Sequence, residues 1–157
     1  MKLMQHSIIQ AIAACLLFLS PFLSSAQGDE QLVKDIVNKL FEGMKKSDSA
    51  MMASCFLPSA HLETVLKTKD GNTKLVSEEL SVFLQSISRP HTEVYDERIS
   101  FQTVKVDGDL AFVWAPYQFY VGDKFSHCGV DAFCLARIDK QWKIQYLVDT
   151  RRRDGCQ

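Results

Sequence analysis

The stretch GDLAFVWAPYQFYVGDKFSHCGVDAFCLARIDKQWKIQYLVDTR, residues 108–151, decides the fold. The run Gly108-Asp109-Leu110-Ala111-Phe112-Val113-Trp114 rises to a turn at Gly122-Asp123, residues 125–138 return, and a second turn at Asp139-Lys140 leads into residues 141–151. Turn residues set between β-branched and aromatic runs predict three consecutive antiparallel strands. Both faces of that sheet are apolar. One must be covered by the chain's own helices and the other by something else.

Taking both turns as two-residue loops fixes a register, because side chains alternate along a strand. One face then carries the rows Ala111/Cys134/Gln145, Val113/Ala132/Leu147, Ala115/Val130/Asp149 and Tyr117/Cys128/Arg151. The other carries Leu110/Leu135/Ile144, Phe112/Phe133/Tyr146, Trp114/Asp131/Val148 and Gln118/His127/Arg152. Small side chains on the first leave room for helices or a cavity. Large aromatics on the second suit a protein interface. A one-residue slip would exchange these roles.

Upstream, Asp29 is placed to cap a helix whose apolar face is Leu32, Val33, Ile36, Val37, Leu40, Phe41 and Met44, ending near Gly43 and Lys45-Lys46. Ser47 or Asp48 starts a short second helix through Met51, Met52 and Cys55, stopped by Pro58. Residues 60–68 read as a strand, Asp70-Gly71 as a hairpin turn and 73–76 as its partner. Ser77 caps a third helix burying Leu80, Phe83 and Leu84, which Arg89-Pro90 ends. Residues 95–106 form the next strand. The expected fold is α+β: a cone-shaped, curved mixed sheet packed against three N-terminal helices.

That order resembles the nuclear transport factor 2-like superfamily over residues 31–150, with Ser47-Asp48-Ser49 to Cys55-Phe56 as its second helix and strand entry. Gly108-Asp109-Leu110-Ala111 and Trp142-Lys143-Ile144 resemble later strand openings of SnoaL-like members. Laid gaplessly on the steroid isomerases of that superfamily, the chain has Leu40 where they have a tyrosine, Thr64 for the general-base aspartate and Cys134 for the buried acid. Leucine cannot donate a hydrogen bond, threonine is no base at neutral pH, and a thiol is a weak donor. A complete Asp-Arg-Asp set of the epoxide-hydrolase branch and the histidine pair of the dehydratase branch are also missing from this alignment, and no Ser-His-Asp or Cys-His grouping assembles.

In the proposed register Tyr117, Asp149 and Arg151 converge on one end of the first face, where neighbouring strands lie about 4.8 Å apart. A phenol, a carboxylate and a guanidinium there can orient the polar end of a small molecule while Val113, Ala115 and Val130 accept an apolar body. The candidate ligand-binding set is Tyr117, Asp149, Arg151 and Cys134. The plainer alternative is an Asp149–Arg151 pair at a strand end with Tyr117 as rim. His127 and Asp131, about 13 Å apart along one strand, are too distant for a dyad.

The first 26 residues read as an export signal: Lys2, an apolar run over 8–23, and Ser24-Ser25-Ala26 for cleavage. Cys15 follows a lipoprotein-like Ile12-Ala13-Ala14, but the apolar core continues past it. Removing 26 of 157 residues leaves 131, one domain over 27–157, with no second apolar run to span a membrane. Its 17 basic and 19 acidic side chains form no basic patch, so nucleic acid is not an expected partner. Cys55, Cys128, Cys134 and Cys156 remain. Four cysteines allow three pairings; Cys128 and Cys134, about 20 Å apart on one strand, cannot bond each other, and with Cys128 opposite Arg151 in this register and Gly155 freeing the tail, Cys128–Cys156 is the candidate bridge. Neither cysteines nor histidines show zinc spacing, and no cofactor is expected. The outward stripe Leu110, Phe112, Trp114, Phe133, Ile144 and Tyr146 predicts a homodimer.

Overall fold

The computed structural model describes residues 20–156, with side chains from 27 onward, so Lys2, most of the apolar run and Cys15 lie outside the described residues. Helices α1 (Ser20–Lys45) and α2 (Ser49–Ala53) precede a hairpin of β1 (Phe56–Lys67) and β2 (Thr73–Glu78). Helix α3 (Leu80–Ser88) leads to β3 (Tyr95–Ile99), β4 (Thr103–Asp107), β5 (Leu110–Val121), β6 (Lys124–Ile138) and β7 (Gln141–Arg151). The seven strands form one sheet in the order β2-β1-β7-β6-β5-β3, with β4 pairing the same strand β5 further along. Only β1 and β7 run parallel among the strand pairs. The expected α+β fold with a curved, unclosed mixed sheet is the fold observed.

Helix α1 starts before Asp29, because the preceding segment from Ser20 is itself helical, so Asp29 sits inside the helix rather than capping it. Its carboxylate instead receives Arg137 Nη1 at 2.7 Å. Val33, Val37, Leu40, Phe41 and Met44 form the buried stripe, while Leu32 is exposed. Asp48 caps α2 by accepting the Met51 amide at 2.8 Å. Ser77 belongs to β2 and donates to Glu63, and α3 begins after Glu79 instead. The single strand expected over 95–106 is broken at residues 100–102 into β3 and β4.

Both predicted turns are two-residue loops: Val121 faces Lys124 and Ile138 faces Gln141. Each hairpin then contains a bulge. Phe119 pairs with His127 but Tyr120 with Phe125, leaving Ser126 extra. Cys134 pairs with Tyr146 but Leu135 with Ile144, leaving Gln145 extra. One added residue reverses which face every later side chain meets. The first bulge turns β6 over relative to the simple register, and the second restores β7 beyond residue 145.

The inward face therefore carries Ala111, Val113, Ala115 and Tyr117 as expected, but Phe133, Leu135 and Asp131 from β6 rather than Cys134, Ala132 and Val130. Phe133 and Ile144 are fully buried, so they leave the proposed outward stripe. Phe133 meets Phe41 of α1 edge-on at 6.2 Å. Leu110, Phe112 and Trp114 do face outward. Cys128 and Cys156 are bridged, Cys55 is a buried free thiol and Cys134 a half-buried one.

Gly129, opposite Tyr117, sits where a Cβ would lie 1.7 Å from the Thr150 carbonyl oxygen and 2.7 Å from Tyr117 Cε1. Backbone cannot yield as a side-chain tip can. Gly129→Ala is expected to destabilise the fold by about 1–3 kcal/mol, read as a lowered melting temperature. An unchanged melting curve would show that the β6–β7 approach is looser than this.

Candidate functional site

Between α1, α3 and the inward face of the sheet lies a cavity of about 370 Å³. Its body is apolar: Leu40, Phe41 and Met44 from α1, Phe83 and Ile87 from α3, and Leu147 from β7. Helical spacing puts the α1 residues on one stripe, and that stripe forms the cavity wall. The other end is polar, and there β1, β3, β5, β6 and β7 each contribute a side chain.

Tyr117, Asp149 and Arg151 meet at that end as expected. Thr64 donates its hydroxyl to Asp149 Oδ1 at 2.5 Å, and Arg151 Nε donates to Oδ2 at 2.9 Å. The Tyr117 hydroxyl lies 3.2 Å from Asp149 Oδ2 and 2.9 Å from the Thr150 carbonyl, so its one proton is shared between them. Burial, reinforced by the Asp149 and Glu97 charges, raises the phenol's pKa and keeps it protonated. With three donors on its two oxygens, Asp149 is an anchored carboxylate. Cys134 is not in this group. It faces the other side of the sheet and does not line the cavity.

The turned-over β6 supplies Asp131 and His127 in its place. Asp131 is 3% exposed and stands directly opposite Asp149 in the ladder. Asp131 Oδ2 is buried, and no hydrogen-bond donor of the described protein reaches it. Its partner is another acid, Glu97 of β3, and two carboxyls can bond only while one holds a proton. Burial, followed by the Glu97 charge, pushes Asp131 well above the ordinary carboxylate range. Burial likewise pushes Glu97 up to about 7, the Asp149 charge adding to it and the Asp131 hydrogen bond opposing it. Glu97 keeps some accessible surface because it faces the cavity, yet protein encloses its carboxyl. Both carboxyls are thus pushed towards the protonated form, and the pair shares a proton.

His127 packs edge-on to Tyr117 at 5.8 Å and tilted on Phe119 at 4.9 Å, with Nδ1 3.1 Å from the Ser126 hydroxyl. Burial and then the Arg151 charge lower its pKa, leaving the ring neutral. Asp131, Arg151 and Asp149 thus make an aspartate–arginine–aspartate set that the bulge-free register conceals. The signal that could have revealed it is parity: Phe133 and Leu135 demand the core, and Asp131 lies two residues before Phe133. Glu97 left no such signal. Of the three steroid-isomerase positions, Leu40 and Thr64 do line the cavity. Among the described residues no group of three or more His, Cys, Asp or Glu side chains is placed to hold a metal ion.

An acid with a higher pKa folded than unfolded binds extra protons in the native state. The Glu97 contribution to stability is therefore full below pH 4.5 and is lost as pH rises through about 7. His127, lowered on folding, acts in the opposite sense as pH rises towards its ordinary value of 6.5. Comparing wild type with Glu97→Gln isolates the first effect. The wild-type melting temperature is expected to fall against the variant's across that window, leaving the variant the more stable at about pH 8. Parallel curves would mean that Glu97 ionises normally.

No curated protein matches the chain. Solved structures do. A nuclear transport factor 2-like protein of unknown function from Shewanella baltica superposes with a TM-score of 0.63 at 17% identity, covering 81% of this chain and 96% of that one. A protein of unknown function from Mycobacterium tuberculosis gives 0.69 at 15%, covering 87% and 79%. A similar protein from Silicibacter pomeroyi gives 0.63 at 16%, covering 80% and 98%. Identities this low speak for the fold alone. The family model described as "Putative lumazine-binding" matches residues 28–146, from inside α1 to the middle of β7. With that match over most of its length and this fold, the chain belongs to the lumazine-binding-like family of the nuclear transport factor 2-like superfamily.

Proposed function

We propose that the protein is an exported, homodimeric domain that holds a small, partly apolar molecule in its cavity without transforming it. The observation that carries this reading is the buried Asp131 oxygen, left without a donor among the described residues on a side chain that lines a cavity of about 370 Å³ with one apolar and one polar end. A buried acceptor without a partner is costly, and a ligand donor would satisfy it. The family's description supports a small-molecule ligand and makes lumazine the first compound to try. Leu40 and Thr64, at the steroid-isomerase positions, carry neither donor nor base suited to that reaction.

Export rests on the first 26 residues, and the partner on the outward face of β5. Leu110 is 60% exposed, Phe112 37% and Trp114 40%, a patch that a second copy would cover. Among the described residues no helix is long and apolar enough to cross a membrane.

A second reading, an enzyme of the same fold, draws on the aspartate–arginine–aspartate set. Asp131, pushed above the ordinary carboxylate range, can supply a proton, while Asp149, oriented by Thr64 and Arg151, faces the same cavity, two carboxyls of unlike surroundings as a hydrolase requires. Turnover of a small epoxide, lost in both Asp131→Asn and Asp149→Asn, would favour it.

Mass spectrometry of natively produced protein is expected to show a mature start at Gln27 and a co-purifying small molecule. A retained Met1 would defeat export. If no molecule co-purifies and lumazine gives no saturable fluorescence change, the binding reading fails.

The wild type is expected to sediment as a dimer at micromolar concentration and Trp114→Glu as a folded monomer. A monomeric wild type would remove the proposed interface.

A further inference from the structure

The cavity is unevenly charged. Among the described residues four acids of the inward face line it, Glu78 of β2, Glu97 of β3, Asp131 of β6 and Asp149 of β7, against one guanidinium, Arg151. The two neutral polar rings at this end, Tyr117 and His127, do not offset that imbalance. One of these acids is already engaged, Asp149 by Thr64 and Arg151. The Asp131–Glu97 pair is different, since each carboxyl has the other as its partner and Asp131 Oδ2 has no donor at all. Such a pair, enclosed in protein, is a receptor for several donors carried on one positive charge.

Resting on the ligand-binding reading above, we propose that the cavity takes an organic amine, its ammonium seated between Asp131 and Glu97 and its apolar body against Phe41, Phe83 and Leu147. An ammonium has three N–H donors and no acceptor, matching a site made of acceptors. A carboxylate ligand would meet like charge. A neutral ligand would leave the acid pair protonated and half satisfied. A metal ion is not the natural occupant, since the donors are not grouped for one. Seating the ammonium replaces the proton that the two acids share. The N–H donors take over its hydrogen bonds, both carboxyls become anionic, and the proton passes to solvent.

Titration calorimetry of the purified protein tests this with three probes of matched body: 2-phenylethylamine, 2-phenylethanol and 3-phenylpropanoate. Repeating each titration at pH 7 in two buffers of different ionisation enthalpy counts released protons. The amine is expected to bind at least about tenfold more tightly than the alcohol, with the carboxylate weakest, and to release up to one proton where the alcohol releases none. Asp131→Asn should cost the amine about ten- to a hundredfold, the alcohol much less, and suppress proton release, and Glu97→Gln should weaken the amine in the same sense. If Asp131→Asn fails to fold, Glu97→Gln decides alone. An alcohol or carboxylate that equals the amine, or an amine that binds without releasing a proton, overturns the assignment and leaves the cavity reading intact. No binding of any probe, together with no response to lumazine and no co-purifying molecule, overturns both.

Discussion

A strand can offer only one of its two faces to a core, and on β6 that choice is made by Phe133 and Leu135. Both are fully buried, Phe133 against Phe41 of the long helix. Burying two side chains of this size is worth about 1.5–3 kcal/mol each. Everything else on β6 follows from it. Asp131 and His127 share the parity of Phe133, so they enter the protein with it, and Cys134 and Cys128 are turned to the other side. The bulge at Ser126 makes this compatible with a tight turn at Gly122-Asp123. The bulge at Gln145 lets Asp149 and Arg151 face the same space. The polar end of the cavity is thus a geometric consequence of apolar packing one turn of the pleat away.

That packing brings acidic groups where water is scarce, and the protein answers in two ways. Around Asp149 it supplies donors, Thr64 on one carboxyl oxygen and Arg151 on the other. Around Asp131 it supplies another acid, so a retained proton replaces the missing donor. The first arrangement is stable in itself. The second is satisfied only conditionally, since the proton, a ligand or a cation must always be present. Two aspartates facing each other across one ladder therefore have different chemical characters, set by neighbours rather than by depth.

Much of the fold was legible in the sequence. Period-two alternation with turn residues marked β1, β2 and β5 to β7, merging β3 and β4 into one strand, and the 3.6-residue stripe through Val33, Val37 and Leu40 marked the long helix. The meeting of Tyr117, Asp149 and Arg151 and the Cys128–Cys156 bridge were legible too. What was hidden had one physical origin. A bulge adds a residue without a distinctive composition, and Ser126 and Gln145 look like any strand residues. Counting from the turns therefore placed Phe133 and Asp131 outside and Cys134 inside. Weighing the apolar demand of Phe133 and Leu135 against the counted register would have corrected this. Glu97 gave no warning, because it lies in β3, which the sequence reading merged with β4 across the break at residues 100–102.

The parallel pairing of β1 with β7 bears on how the molecule is made. Thr64 meets Asp149 across 85 residues of chain, and the hairpin β1–β2 joins the sheet only through β7. Until the last strand exists, Leu62 has no neighbour on that side and Phe56 no register. A growing chain therefore cannot finish this domain piece by piece, and contacts this distant in sequence form slowly. The hairpin β1–β2 can therefore take its place in the sheet only after β7 has been made, so closing this long loop is the step that ties the first half of the chain to the last.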